Sequence, residues 1–267
     1  MYIVHGLLKI VDHLGVRSMT EEDVSRFMRG VKKPNRSFED QWLAKFSKGL
    51  AETVGEKIRN KVLEGSEELL ASVDRTEMIE WTRKAMNRLD ALVDEENRRK
   101  IMTGCACHFP EQRLLALRAK YEETKDVDTV LRMLREMFRS DLKNGLKLDD
   151  ELIERILGWG WGVAGVREGD TIVATKLPFE FKECLKATDP REKRYHYCHC
   201  PRIREVMKSP EPRISKTYCY CGAGFYKDIW EKILQQPVEV EVLATVLEGD
   251  DVCRIAIHLP SNMAQTF

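Results

Sequence analysis

Apolar residues recur at every fourth position early in the chain and at every second position near its end. That switch of period limits the fold to one that joins helices with strands. Phe38, Trp42, Phe46, Leu50, Val54, Ile58 and Val62 form a stripe that predicts one long helix, stopped near Gly65. Val24, Phe27, Met28 and Val31 predict a shorter helix opened by Thr20. Met78, Trp81, Ala85, Leu89 and Leu92 mark another, and Val127, Val130, Leu131, Leu134 and Phe138 a further one. Such stripes serve equally as core or as the seam of a homodimer.

Gly158-Trp159-Gly160-Trp161-Gly162 then breaks the helical texture and reads as a tight turn with aromatic packing. Residues 170–177 read as a strand. Val238, Val240, Val242, Ala244 and Val246 alternate with Glu239, Glu241 and Thr245. A turn at Glu248-Gly249-Asp250-Asp251 leads to Cys253, Ile255 and Ile257 on the return, which predicts an antiparallel hairpin with one buried face. Phe225, Ile229, Ile233 and Leu234 predict a helix between the strands, begun near Gly222-Ala223-Gly224 and ended before Pro237. The expected class is α+β, with a helical region over residues 1–157 and a cysteine-rich α+β domain with antiparallel strands over 158–267.

Charge excludes some functions. The 44 Lys and Arg residues balance 44 Asp and Glu, so no global field draws the chain to nucleic acid or to an acidic membrane. No uncharged stretch is long enough to span a bilayer, and no small-residue cleavage site follows the first residues. A cytoplasmic protein with reduced thiols is the expectation.

The chemistry is expected in the cysteines. Six of the eight fall in three Cys-x-Cys pairs, Cys105/Cys107, Cys198/Cys200 and Cys219/Cys221. Clustered reduced thiols read as metal ligands or as thiol chemistry. Residues i and i+2 share a side in an extended chain and lie roughly 200° apart on a helix, so a pair that ligates one ion must be extended or in a turn. Pro201 favours that geometry at Cys200. Cys198, Cys200, Cys219 and Cys221 are therefore the candidate metal ligands, a sulfur set that suits zinc, with an iron–sulfur cluster as the alternative. The one-residue spacing is shorter than that of usual structural zinc sites. His199, between two ligands, is expected to hydrogen-bond or pack rather than ligate. Cys105, Cys107 and His108 form a separate cluster that either joins the site or stands apart. Cys253, Cys184 and His258 read as core residues.

A competing reading is a cysteine nucleophile at Cys219 or Cys221. His108, His196 or His199 would be the base and Glu205 or Asp228 the orienting carboxylate. The start of a helix and the basic side chains of residues 191–216 (among them Arg202, Arg204 and Arg213) would lower the thiol pKa values there. The alternatives for that basic stretch are a solvated loop or an anion site. A third reading is a thiol redox switch that releases metal on oxidation.

Thr188-Asp189-Pro190, Tyr197-Cys198-His199-Cys200-Pro201-Arg202 and Cys219-Tyr220-Cys221-Gly222-Ala223-Gly224-Phe225 resemble an uncharacterised bacterial family of Firmicutes type. The likeness runs on through the strand at Val238–Leu247 and Gly249-Asp250-Asp251-Val252-Cys253-Arg254-Ile255. More distantly, the order of cysteine, helix, strand, Gly-Asp turn and cysteine-bearing strand is similar to the 4-vinyl-reductase-like (V4R) domains. It is also similar to the L-2-amino-thiazoline-4-carboxylic acid hydrolase-like family. The first resemblance implies an α+β module that binds a small molecule in a pocket against the N-terminal helices. The second implies hydrolysis of a small cyclic substrate, with no catalytic residue to place here.

Overall fold

A computed structural model describes residues 36–67, 74–200, 202–208 and 214–260. The helix expected after Thr20, Pro201 and Arg213 lie outside the described residues. The long stripe forms α1 (Arg36–Val62), with Trp42, Phe46, Leu50 and Val62 buried and Gly65 at a φ of 79° just past its end. There follow α2 (Arg75–Leu92), α3 (Glu95–Gly104), α4 (Leu115–Thr124), α5 (Val127–Asn144) and α6 (Asp150–Gly158). Aspartates cap four of these helices: Asp74, Asp94, Asp126 and Asp149 each accept a hydrogen bond from a backbone N–H of the first turn. The apolar stripes of α1, α2 and α5 face the interior, apart from the exposed Leu92. Among the described residues no helix is long and apolar enough to cross a membrane.

The glycine–tryptophan run makes the corner. Gly162 has a φ of 99°, and a Cβ there would sit 2.2 Å from the Phe138 ring, so α5 closes on this turn only because the residue is glycine. Trp159 and Trp161 pack with ring centroids 5.4 Å apart. Gly162 donates to the Thr175 carbonyl at 2.7 Å, and Thr175 donates back to Gly160 at 3.1 Å, which pins the turn to the end of a strand.

The strands are β1 (Val166–Glu168), β2 (Thr171–Thr175), β3 (Glu239–Ala244) and β4 (Arg254–His258), joined antiparallel in the order β1-β2-β4-β3. The fold is α+β, as the two periods imply. The hairpin forms with Val240 opposite Ile257, but β4 departs from the expectation of one buried face. Ile255, Ala256 and Ile257 are all buried, because β4 lies inside the sheet between β2 and β3. The remaining helices are α7 (Phe181–Lys186), α8 (Pro190–Tyr197) and α9 (Tyr220–Leu234).

The helix α9 organises the molecule. It packs on α3, α4, β3 and β4, and one hydrophobic cluster runs from Trp42 through α9 to Leu259. Its closest approach is at Gly224, where a Cβ would lie 2.1 Å from the Thr103 carbonyl oxygen and 2.8 Å from Ala106 Cβ. That contact brings the loop of Cys105 and Cys107, at the end of α3, beside the start of α9.

Candidate functional site

Three stretches of chain deliver cysteines to the start of α9. The first is the end of α8, which Asp189 caps with Pro190 at the first helical position. Cys198 closes that helix in an extended conformation (φ −67°, ψ 126°). The buried phenol of Tyr197 holds this corner: it donates to the Lys176 carbonyl and accepts from Cys253 N at 3.0 Å. Lys176 N donates to the Cys253 carbonyl at 3.0 Å, so the end of β2, the start of β4 and Cys198 meet at one point.

The second pair differs from its expected geometry. Lys216–Cys219 is a short 3-10 turn that runs straight into α9, and Cys219 has helical φ and ψ (−69°, −15°). Cys221 is already inside the helix. The two sulfurs therefore diverge, as the roughly 200° step between i and i+2 requires. Cys219 Sγ is 3.0 Å from Thr245 Oγ1, on the sheet side, and Cys253 Sγ donates to the same hydroxyl at 3.9 Å. Cys221 Sγ faces the Cys105 carbonyl at 3.4 Å, on the α3 side. Among the described residues, no group of three or more Cys, His, Asp or Glu side chains is arranged to hold a metal ion.

The surroundings of these sulfurs differ from those of the other buried thiols. Cys105 and Cys184 donate S–H to carbonyl oxygens of Ile101 and Lys193, as core thiols do. Around the candidate ligands the polar groups are chiefly donors. The backbone N–H of Cys200 acts on Cys198, and those of Arg202 and Ile203 act on Cys200, each favouring the thiolate. Tyr218 OH lies 3.1 Å from Cys200 Sγ. The indole N–H of Trp42, a residue only 4% exposed, has no oxygen or nitrogen partner and points at Cys221.

Burial nevertheless pushes these thiols up, Cys198 and Cys221 to about 12 and Cys219 well above its ordinary value. This reverses the lowering expected from the basic stretch and the helix start, because desolvation outweighs both. The basic stretch is also not a solvated loop. Arg202 is buried, donates to Glu39 of α1, approaches Thr82 Oγ1 at 3.4 Å and lies over the Trp42 ring at 4.4 Å. Arg204 is buried between Phe179 and Tyr195 and donates to Glu180 at 2.6 Å. Arg204 and His196 outweigh burial and hold the Glu180 carboxyl below its ordinary range. Neither arginine is left to recruit an anion. The cation that does reach the thiols is Lys176, which opposes burial at Cys198, Cys219 and Cys221.

His199 packs edge-on to Phe179 and contacts the Leu177 carbonyl through Nε2, turned away from the sulfurs. His108 meets Asp228: Nδ1 and Oδ1 are 2.8 Å apart, and Phe109 N donates to Oδ2 at 3.2 Å. His196 pairs with Glu180, and Glu205 accepts from Tyr195 OH at 3.1 Å. Among the described residues no cysteine is hydrogen-bonded to a histidine, so the nucleophile–base contact of a cysteine enzyme is missing. Cys184 is buried, while Cys253 is half-buried beside Thr245 rather than enclosed in the core. His258 bonds Thr171 across the sheet at 3.2 Å. Sequence reasoning missed Trp42, Lys176, Tyr218 and Thr245. Trp42 was hidden in an apolar stripe, and the other three carry no local pattern that links them to the cysteines.

No curated protein and no solved structure matches the chain. The model of a family of unknown function (DUF6144) matches residues 191–264, the stretch that contains Cys198, Cys200, Cys219, Cys221 and Cys253.

Proposed function

We propose that this is a cytoplasmic metal–thiolate protein that binds zinc through Cys198, Cys200, Cys219 and Cys221 at the start of α9. The observation that carries the reading is the set of donors aimed at these sulfurs, above all the buried indole N–H of Trp42 toward Cys221. A neutral thiol needs an acceptor for its hydrogen, whereas a metal-bound thiolate is stabilised by donors in its outer shell. All eight cysteines are free, which suits a reducing compartment. An iron–sulfur cluster uses the same ligands. A small-molecule role is supported by an open groove between α3, α9 and β3. Glu95, Arg99, Lys100, Lys227 and Glu239 line it, walls that suit a polar ligand rather than an apolar one.

Cobalt(II) is the probe for this site, because its visible bands report thiolate ligation directly. The reduced full chain develops those bands on titration, and zinc removes them. Trp42→Phe, which deletes only the N–H, weakens cobalt binding about tenfold. A chain that shows no bands with cobalt and retains no zinc overturns the proposal.

A further inference from the structure

The helical step between Cys219 and Cys221 deepens the metal–thiolate reading, and the inference rests on that reading. We infer that the thiols serve two metal ions on opposite sides of the α9 start, one held by Cys198, Cys219 and Cys253 and the other by Cys200, Cys221 and Cys107. On the sheet side, Cys219 and Cys253 share the Thr245 hydroxyl at 3.0 and 3.9 Å, and both Cys253 and Cys198 lie close enough to act on Cys219. On the α3 side, Cys221 is acted on by Cys200 and Cys107 and receives the Trp42 N–H. Cys105 is excluded as a ligand. Its thiol is committed to the Ile101 carbonyl, and its own carbonyl faces Cys221. A single ion cannot take both sulfurs of a pair that diverges about a helix axis, whereas two ions can.

Charge points the same way. Lys176 stands near Cys198, Cys219 and Cys221, its Nζ 3.2 Å from where a Gly222 Cβ would be, and it pairs with no carboxylate among the described residues. A lysine facing the positive end of a helix is unfavourable unless negative charge lies between them. Each divalent ion that displaces three thiol protons to solvent leaves a trithiolate of about −1 charge, and a pair of such centres supplies that negative charge. The two centres are joined through the adjacent Cys198 and Cys200, whose thiols act on one another.

The test is the metal stoichiometry of the reduced full-length chain loaded with cobalt(II) or zinc alone and freed of excess. About two ions per chain are expected, falling to about one in Cys253→Ser and to about one in Cys107→Ser, with two kept in Cys184→Ser. Cys107 is exposed, so its variant keeps the test valid if Cys253→Ser fails to fold. One ion per wild-type chain, or two in both single variants, overturns the two-centre inference and leaves the metal–thiolate reading standing. No ion at all overturns both.

Discussion

Gly224→Ala is expected to destabilise the protein by about 3 kcal/mol or more, seen as a large drop in the urea midpoint by circular dichroism. The added methyl would lie 2.1 Å from the Thr103 carbonyl oxygen and 2.8 Å from Ala106 Cβ. The first of these is backbone at the end of α3 and cannot rotate away, so α9 and α3 must separate. Their separation moves the Cys107 loop from Cys221, and the variant should lose metal on the α3 side together with stability. Gly158→Ala is the control. A Cβ there meets nothing within 4 Å, and its effect should stay within about 0.5 kcal/mol. Equal stability of the two variants would contradict the close crossing.

Arg202→Met is the second large effect. Arg202 and Glu39 are 163 positions apart and form a buried ion pair that ties α1 to the loop after Cys200. Removing the guanidinium leaves a carboxylate buried without its partner, which costs about 3–5 kcal/mol at neutral pH. Burial already raises the Glu39 pKa, with Arg202 pulling against it, so the variant raises it further. A carboxyl whose folded pKa lies above its unfolded value stabilises the fold when protonated and loses that contribution as pH rises through the folded pKa. The deficit of Arg202→Met should therefore shrink on acidification from neutral pH, and Arg202→Met/Glu39→Leu should recover most of it. A deficit that is the same at acid and neutral pH would show that Glu39 is not the cause.

The parts of the fold that were legible in the sequence are those written in local periodicity. The four-residue stripe from Phe38 to Val62 emerges as α1, and the alternation from Val238 onward emerges as β3 paired with β4. The break at Gly158–Gly162 emerges as a turn built on Gly162 against Phe138. The helix α8 was missed although Asp189-Pro190 is a cap followed by proline at the first helical position, a signal taken only as part of a family likeness. The three residues of β1 were too few for any period to register.

The candidate site was legible in composition and illegible in arrangement. Cysteine spacing located the ligands, but whether Cys219 and Cys221 share a side depends on where α9 begins. The helix starts at Tyr220, earlier than the glycines suggest, and that offset sends the two sulfurs to opposite sides. The burial of Arg202 and the approach of Lys176 depend on contacts between distant segments. No local pattern encodes them, which is why the basic stretch read as solvent-facing.

The central claim, that these thiols hold metal, is tested most directly by elemental analysis of the full chain purified without oxygen, beside Cys219→Ser/Cys221→Ser. The account predicts zinc retained by the wild-type chain without visible absorption, or iron with a broad band near about 400 nm if a cluster occupies the site, and loss of that metal in the double variant. A wild-type chain that is folded, fully reduced and free of metal would contradict it.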